Sequence, residues 1–83
     1  MQDADQKMIR LSELPAGRRA TIRLHGEEGA AGLMLMEMGC VPGSTVQVEM
    51  IAPLGDPVAI RVAGYRLGIR KADAAQIWVT PQA

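Results

Sequence analysis

Apolar side chains recur along most of this chain with a period of two. Ala20, Ile22 and Leu24 alternate with Thr21 and Arg23, and Val46, Val48 and Met50 alternate with Gln47 and Glu49. Val58, Ile60 and Val62 stand against Arg61, and Leu67 and Ile69 against Arg66 and Arg70. Successive side chains of a strand face opposite sides, so this alternation predicts four strands with one face buried. Ile77-Trp78-Val79 predicts a short fifth. The tight Ala63-Gly64 connection joins the third and fourth as a hairpin, while Ala52 to Pro57 is a loop dense in turn formers. Leu11 and Leu14, three apart ahead of Pro15 and Gly17, predict one helical turn that plugs an end of the core. Lys71 to Ala75, with Asp73 in its first turn, fits another.

One stretch breaks the period. From Ala30 to Met38, the positions Ala31, Leu35 and Met38, with Met34, fall on a helical i, i+3, i+4, i+7 stripe expected to face the core. Leu33 and Met36 fall on other faces, where a surface helix normally carries charge. Gly39 suits the left-handed residue that closes a helix, and Pro42-Gly43 reads as a turn. The predicted fold is mainly β with short helices: a small SH3-like β-barrel of about five strands, with the helix inserted after the first. A five-stranded OB-type barrel is the structural alternative. Residues 1–8, polar and aperiodic, read as a disordered tail, and residues 9–80 as a single domain.

Composition narrows the function. Eighty-three residues, 48% hydrophobic, leave room for one core, and one Trp, one Tyr and no Phe mean that Val, Ile, Leu, Met and Ala must build it. Nine basic and nine acidic residues cancel, so no global field draws the chain to nucleic acid or an anionic membrane. One cysteine cannot form an internal disulfide. MQDADQKMIR places Asp3 and Asp5 where a signal peptide carries basic charge, and no apolar run is long enough to span a bilayer. A cytoplasmic protein is expected. One His, one Cys and scattered hydroxyls offer no nucleophile-base constellation and no paired carboxylates, so an enzyme is not expected. Gly26, Gly29 and Gly32 lead into the helix, but no Gly-Lys-Ser/Thr closes the pattern and Glu27 and Glu28 would repel a phosphate.

The candidate sites are therefore binding sites. Leu33, Met34 and Met36 would, if exposed, make an apolar patch for a protein partner or a second copy of the chain; the plainer reading of Met34 is a gap-filler in an aromatic-poor core. Arg61, Arg66 and Arg70 lie on the outer face of the hairpin and could grip an acidic partner. RNA binding lacks its stacking platform, with only Tyr65 and Trp78 to supply one. Trp78, out of phase with Ile77 and Val79, is expected half-exposed, as interface anchors often are. His25, Glu27 and Glu28 offer one nitrogen and two carboxylates within four residues. They are the candidates for a weak Fe²⁺ or Zn²⁺ site, with a solvated polar loop as the plainer reading; no cofactor is required. Cys40 reads as a small buried apolar residue.

The order of motifs carries a resemblance. Glu37-Met38-Gly39-Cys40-Val41-Pro42-Gly43, the strand TVQVEMI, the loop Pro53-Leu54-Gly55-Asp56-Pro57 and the tail IRVAGYRLGIRKADAAQIWV together resemble the FeoA family. A related SH3-like domain lies at the C-terminus of iron-dependent repressors, which carry a DNA-binding helical domain ahead of it. The resemblance, over about residues 11–79, implies an accessory adaptor of bacterial ferrous iron uptake. Such a protein would bind the cytoplasmic GTP-binding region of the FeoB-type permease and modulate its transport or GTPase activity. The alternatives are a free-standing transition-metal-binding sensor domain and an RNA-binding SH3-like module. Leu33 and Met34 stand where the family often has basic residues, and Cys40 where an aliphatic one is common.

Overall fold

The structure, a computed structural model, describes residues 7–26 and 29–82. Its elements in chain order are β1 (Ile9–Arg10), a 3-10 turn (Leu11–Glu13), β2 (Arg19–His25), α1 (Gly29–Glu37), β3 (Thr45–Ile51), β4 (Val58–Val62), β5 (Tyr65–Ile69), α2 (Lys71–Ala74) and β6 (Ile77–Pro81). The strands form one antiparallel sheet in the order β1-β6-β2-β3-β4-β5. The fold is thus mainly β with two short α-helices, as the alternation predicts. A sixth strand is added: β1 has two residues, too few to show any period, and among the described residues it pairs only with Trp78 and Val79 of β6.

Inward side chains from every long strand meet in one cluster: Ala20 and Ile22, Val46 and Val48, Val58, Ile60 and Val62, Ile69, Ile77 and Val79. A flat six-stranded sheet could not bring β6 and β5 to a common core, so the sheet is coiled around it. Two register shifts assist the coiling, between Ile22 and Leu24 and between Val48 and Met50. They also correct two expectations. Strict alternation puts Leu24 and Met50 on the buried face, yet they are 54% and 58% exposed. A bulge inserts one extra residue, so every side chain beyond it changes face.

Leu11 and Leu14 plug the core as expected, both buried. The Arg10 backbone N–H donates to Glu13 Oε1 at 2.9 Å and holds that turn closed. Asp56, in the loop before β4, accepts the Lys71 backbone N–H at 3.0 Å and so satisfies a free donor at the start of α2. Pro81 is paired with Ala20 as the last residue of β6, beyond the reach of β1, so the N–H it lacks would have met no second neighbour.

Candidate protein-docking surface

The site is built on the corner from α1 through the Gly39 turn into β3. α1 has nine residues and a single charge, Glu37. It joins the core through Leu35, 5% exposed, and Gly32 is buried as well. The expected stripe is narrower than its pattern. Met34 is 60% exposed and Met38 half-buried. Leu35 and the turn at Gly39 hold the helix to the coiled sheet, and a neighbour of Leu35 in sequence lies about 100° around the helix. Leu33 and Met36 are exposed as well, so three large apolar side chains of one short helix face water.

The turn after the helix is held by a dense set of backbone bonds. The Cys40 N–H donates to the Leu35 carbonyl at 3.0 Å and the Gly39 N–H to the Met36 carbonyl at 3.0 Å. These are the two bonds of a Schellman cap, in which the residue after the left-handed one packs back on the last turn. Cys40 and Leu35 occupy those positions and both lie in the core, with Cys40 wholly buried. Burial pushes the Cys40 thiol up from its ordinary pKa. Gly39 has φ +104°, and a Cβ there would overlap the Ala63 methyl in the turn between β4 and β5. The Gly43 N–H then donates to the Ile22 carbonyl at 2.7 Å and the Ile22 N–H to the Ser44 carbonyl at 2.9 Å, delivering the chain into β3 beside β2.

Beside α1 runs a groove of about 310 Å³. Met34, Leu35 and Met38 form one wall, and Leu67, Ile69 and Arg70 the other. Two of the predicted partner-binding residues, Met34 and Arg70, therefore share one concave apolar site. The other arginines are organised differently. Glu49 receives both Arg61 Nε and Arg66 Nε at 2.6 Å, one on each carboxylate oxygen. The hydrogen bond from Arg61, with the positive charge of both guanidiniums, holds the Glu49 carboxyl below its usual pKa. Arg70 Nε lies 3.1 Å from Asp73. Trp78 belongs to another patch: it is half-buried, opposite Leu24 on β2, with the Arg10 guanidinium 5.1 Å from its ring centroid.

Of the metal candidates, His25 is half-buried at the end of β2, opposite Ile77, and burial lowers its pKa. Glu27 and Glu28 lie outside the described residues. Among the described residues, no three His, Cys, Asp or Glu side chains form a metal-binding group. Nor is any helix among them long and apolar enough to cross a membrane. Sequence reasoning missed Glu49 as the junction of two arginines and Leu67 as a groove wall. The cross-strand register supplies both, and the sequence signals it only in part, through the two-residue hairpin turn.

The comparisons with known proteins agree with this architecture. The profile of the FeoA domain family matches residues 9–81. Over 72 residues the chain is 44% identical to the Fe(2+) transport protein A/Fe(2+) transporter FeoB fusion protein of Porphyromonas gingivalis. That match covers 86% of this chain and 8% of the fusion protein, so the chain spans a small part of that relative's length. The FeoA protein of Chlorobium tepidum superposes with a TM-score of 0.86 at 39% identity, over 90% of this chain and 71% of that one. The zinc-complexed FeoA of Stenotrophomonas maltophilia, described as a prokaryotic SH3 domain protein, superposes with a TM-score of 0.72 at 29% identity, over 83% and 86% of the two chains.

Proposed function

The chain belongs to the FeoA domain family, which is linked to ferrous iron transport, and from that premise we propose that it is an adaptor that docks on the cytoplasmic part of a FeoB-type permease and modulates its transport or GTPase activity. The observation that carries the partner is the Porphyromonas gingivalis relative, in which the two proteins are one polypeptide. Fusion raises the effective concentration of two modules to the order of millimolar, an arrangement that makes sense for modules that touch. The surface comes from the geometry. Leu33, Met34 and Met36 expose a contiguous apolar face on an element that the Schellman cap and Gly39 hold in place. Apolar exposure of this kind on a small domain is a mark of protein contact. The groove between Met34 and Arg70 extends it, with Arg70 as a cation in its wall. Trp78, with Arg10 over its ring, would make a secondary contact from a separate patch.

The test is calorimetric titration of the chain against the FeoB-type permease, with GTP hydrolysis and Fe²⁺ uptake measured on the same preparation. The wild type is expected to bind, and Met36→Glu to weaken binding roughly tenfold or more, as truncation of a buried interface anchor does. Equal binding by the two proteins would remove α1 from the interface.

A further inference from the structure

Among the described residues, β5 is the outermost strand on its side of the sheet and pairs only with β4. The turn between them has two residues, Ala63 and Gly64, with φ of +51° and +83°, the conformation of the turns that close tight hairpins. In such a hairpin the flanking pair, Val62 and Tyr65, exchanges both hydrogen bonds, and bonded and non-bonded pairs then alternate along the ladder. With the register Arg61 to Arg66, Ile60 to Leu67, Ala59 to Gly68 and Val58 to Ile69, Tyr65, Leu67 and Ile69 direct their N–H and C=O groups to β4. Arg66 and Gly68 direct theirs outward. Among the described residues, no loop, cap or further strand takes up those outward groups.

Folded proteins usually blunt a free edge with a bulge, a proline or a covering element. β5 has neither bulge nor proline, and Tyr65, Arg66 and Gly68 are all exposed. Gly68 also lines the apolar groove, and a Cβ there would meet open space, so no neighbouring side chain crowds that face of the strand. Toward the two ends of this edge lie two ion-paired cations. Arg66 is 62% exposed above a Glu49 that is 20% exposed, and Arg70 is 72% exposed above an Asp73 that is 16% exposed. A ligand running along β5 thus meets main-chain donors and acceptors in the middle, apolar side chains beneath it and guanidinium groups at its ends.

We propose that an extended segment of the permease's cytoplasmic region, apolar at alternate positions and flanked by acidic side chains, adds to β5 as a seventh strand. The proposal rests on the permease reading above and sharpens it from a patch to a binding mode. Strand addition draws affinity from main-chain pairing and selectivity from pockets for alternate side chains; here the groove between Met34 and Leu67 is the pocket, and Arg66 and Arg70 select for acidic flanks.

Gly68 allows a direct test with detergent-solubilised permease titrated against the wild type, Gly68→Ala and Gly68→Pro. Proline removes the outward N–H without touching the β4 ladder, and alanine keeps it. Gly68→Pro is expected to bind about tenfold more weakly, the size of one interface hydrogen bond lost, and Gly68→Ala within about twofold of wild type. Hydrogen exchange on the wild type supplies the measurement that needs no variant: the Arg66 and Gly68 amides should become protected in the complex. Wild-type binding with Gly68→Pro unimpaired, or with those two amides unprotected, overturns strand addition while leaving the permease reading intact. Absence of wild-type binding overturns both. Protection of the same amides by a second copy of the chain, without permease, would assign the edge to self-association and overturn the proposal.

Discussion

The helix α1 and the turn after it are neighbours in sequence and opposites in physics. Between Gly39 and Ser44 almost every backbone group is committed: Gly39 and Cys40 cap the helix, Gly43 and Ser44 bond to Ile22, and Cys40 is wholly buried. In α1, only Leu35 and Gly32 are buried among the described side chains and glycines, while Leu33, Met34 and Met36 face water. The turn is constrained by packing and can be read as structure. The outer face of the helix is exposed, and its apolar character is the ground for the docking proposal. Residues that hold the fold and the residues proposed to meet the partner thus alternate along α1, and only beyond Gly39 does the structural role stand alone.

The comparison breaks first at Gly39. Gly39→Ala adds a methyl that overlaps Ala63 and forces a non-glycine residue to φ +104°. The strain and the overpacking together should cost about 3 kcal/mol, seen as a fall in the denaturant midpoint without a change in slope. Cys40→Ser comes next. It places a hydroxyl at a wholly buried position, and an unsatisfied buried hydroxyl costs about 2 kcal/mol, so the midpoint should fall by a smaller amount. A lower melting temperature for Leu33→Glu than for Cys40→Ser would erase the distinction between the two regions.

The Glu49 junction is expected to have a smaller effect, because its partners are largely exposed and screened. Its folded pKa lies below the ordinary carboxylate value of 4.5. The unfolded state therefore binds the proton more readily. The stabilisation is fully present above the ordinary value and is lost as pH falls through the lower, folded one. Glu49→Gln should accordingly melt below wild type at pH 7, with the gap closing in acid. A gap that persists unchanged to the lowest pH would show that Arg61 and Arg66 do not stabilise the carboxylate. Leu33→Glu is expected to have the smallest effect on stability, within about 0.5 kcal/mol of wild type, because the side chain is already 59% exposed.

Much of this is legible in the chain. Period-two alternation locates Thr45–Ile51, Val58–Val62 and the two-residue turn before Tyr65–Ile69, because each strand buries one face in a coiled sheet. Gly39 and Pro42-Gly43 are legible because a left-handed residue and a tight turn restrict composition strongly. Alternation misplaces Leu24 and Met50 because a bulge changes phase without leaving a sequence mark. Met34 admits two readings in the sequence, core filler and partner contact, because periodicity gives an angle around the helix and not the width of the surface it meets. The joint hold of Arg61 and Arg66 on Glu49 depends on strand register, which the alternation leaves open across the Ala52–Pro57 loop. The motif order is enough to suggest the family, and the match over residues 9–81 bears it out.

The division between a structural turn and a docking helix is tested most directly by measuring Leu33→Glu and Cys40→Ser on the same two axes, melting temperature and affinity for the FeoB-type permease. Leu33→Glu should melt with the wild type and bind at least roughly tenfold more weakly. Cys40→Ser should melt lower and, at a temperature where it is folded, bind as the wild type does. If instead the two variants lose stability and binding in proportion, the helix and the turn form one structural unit, and the outer face of α1 is not where the partner docks.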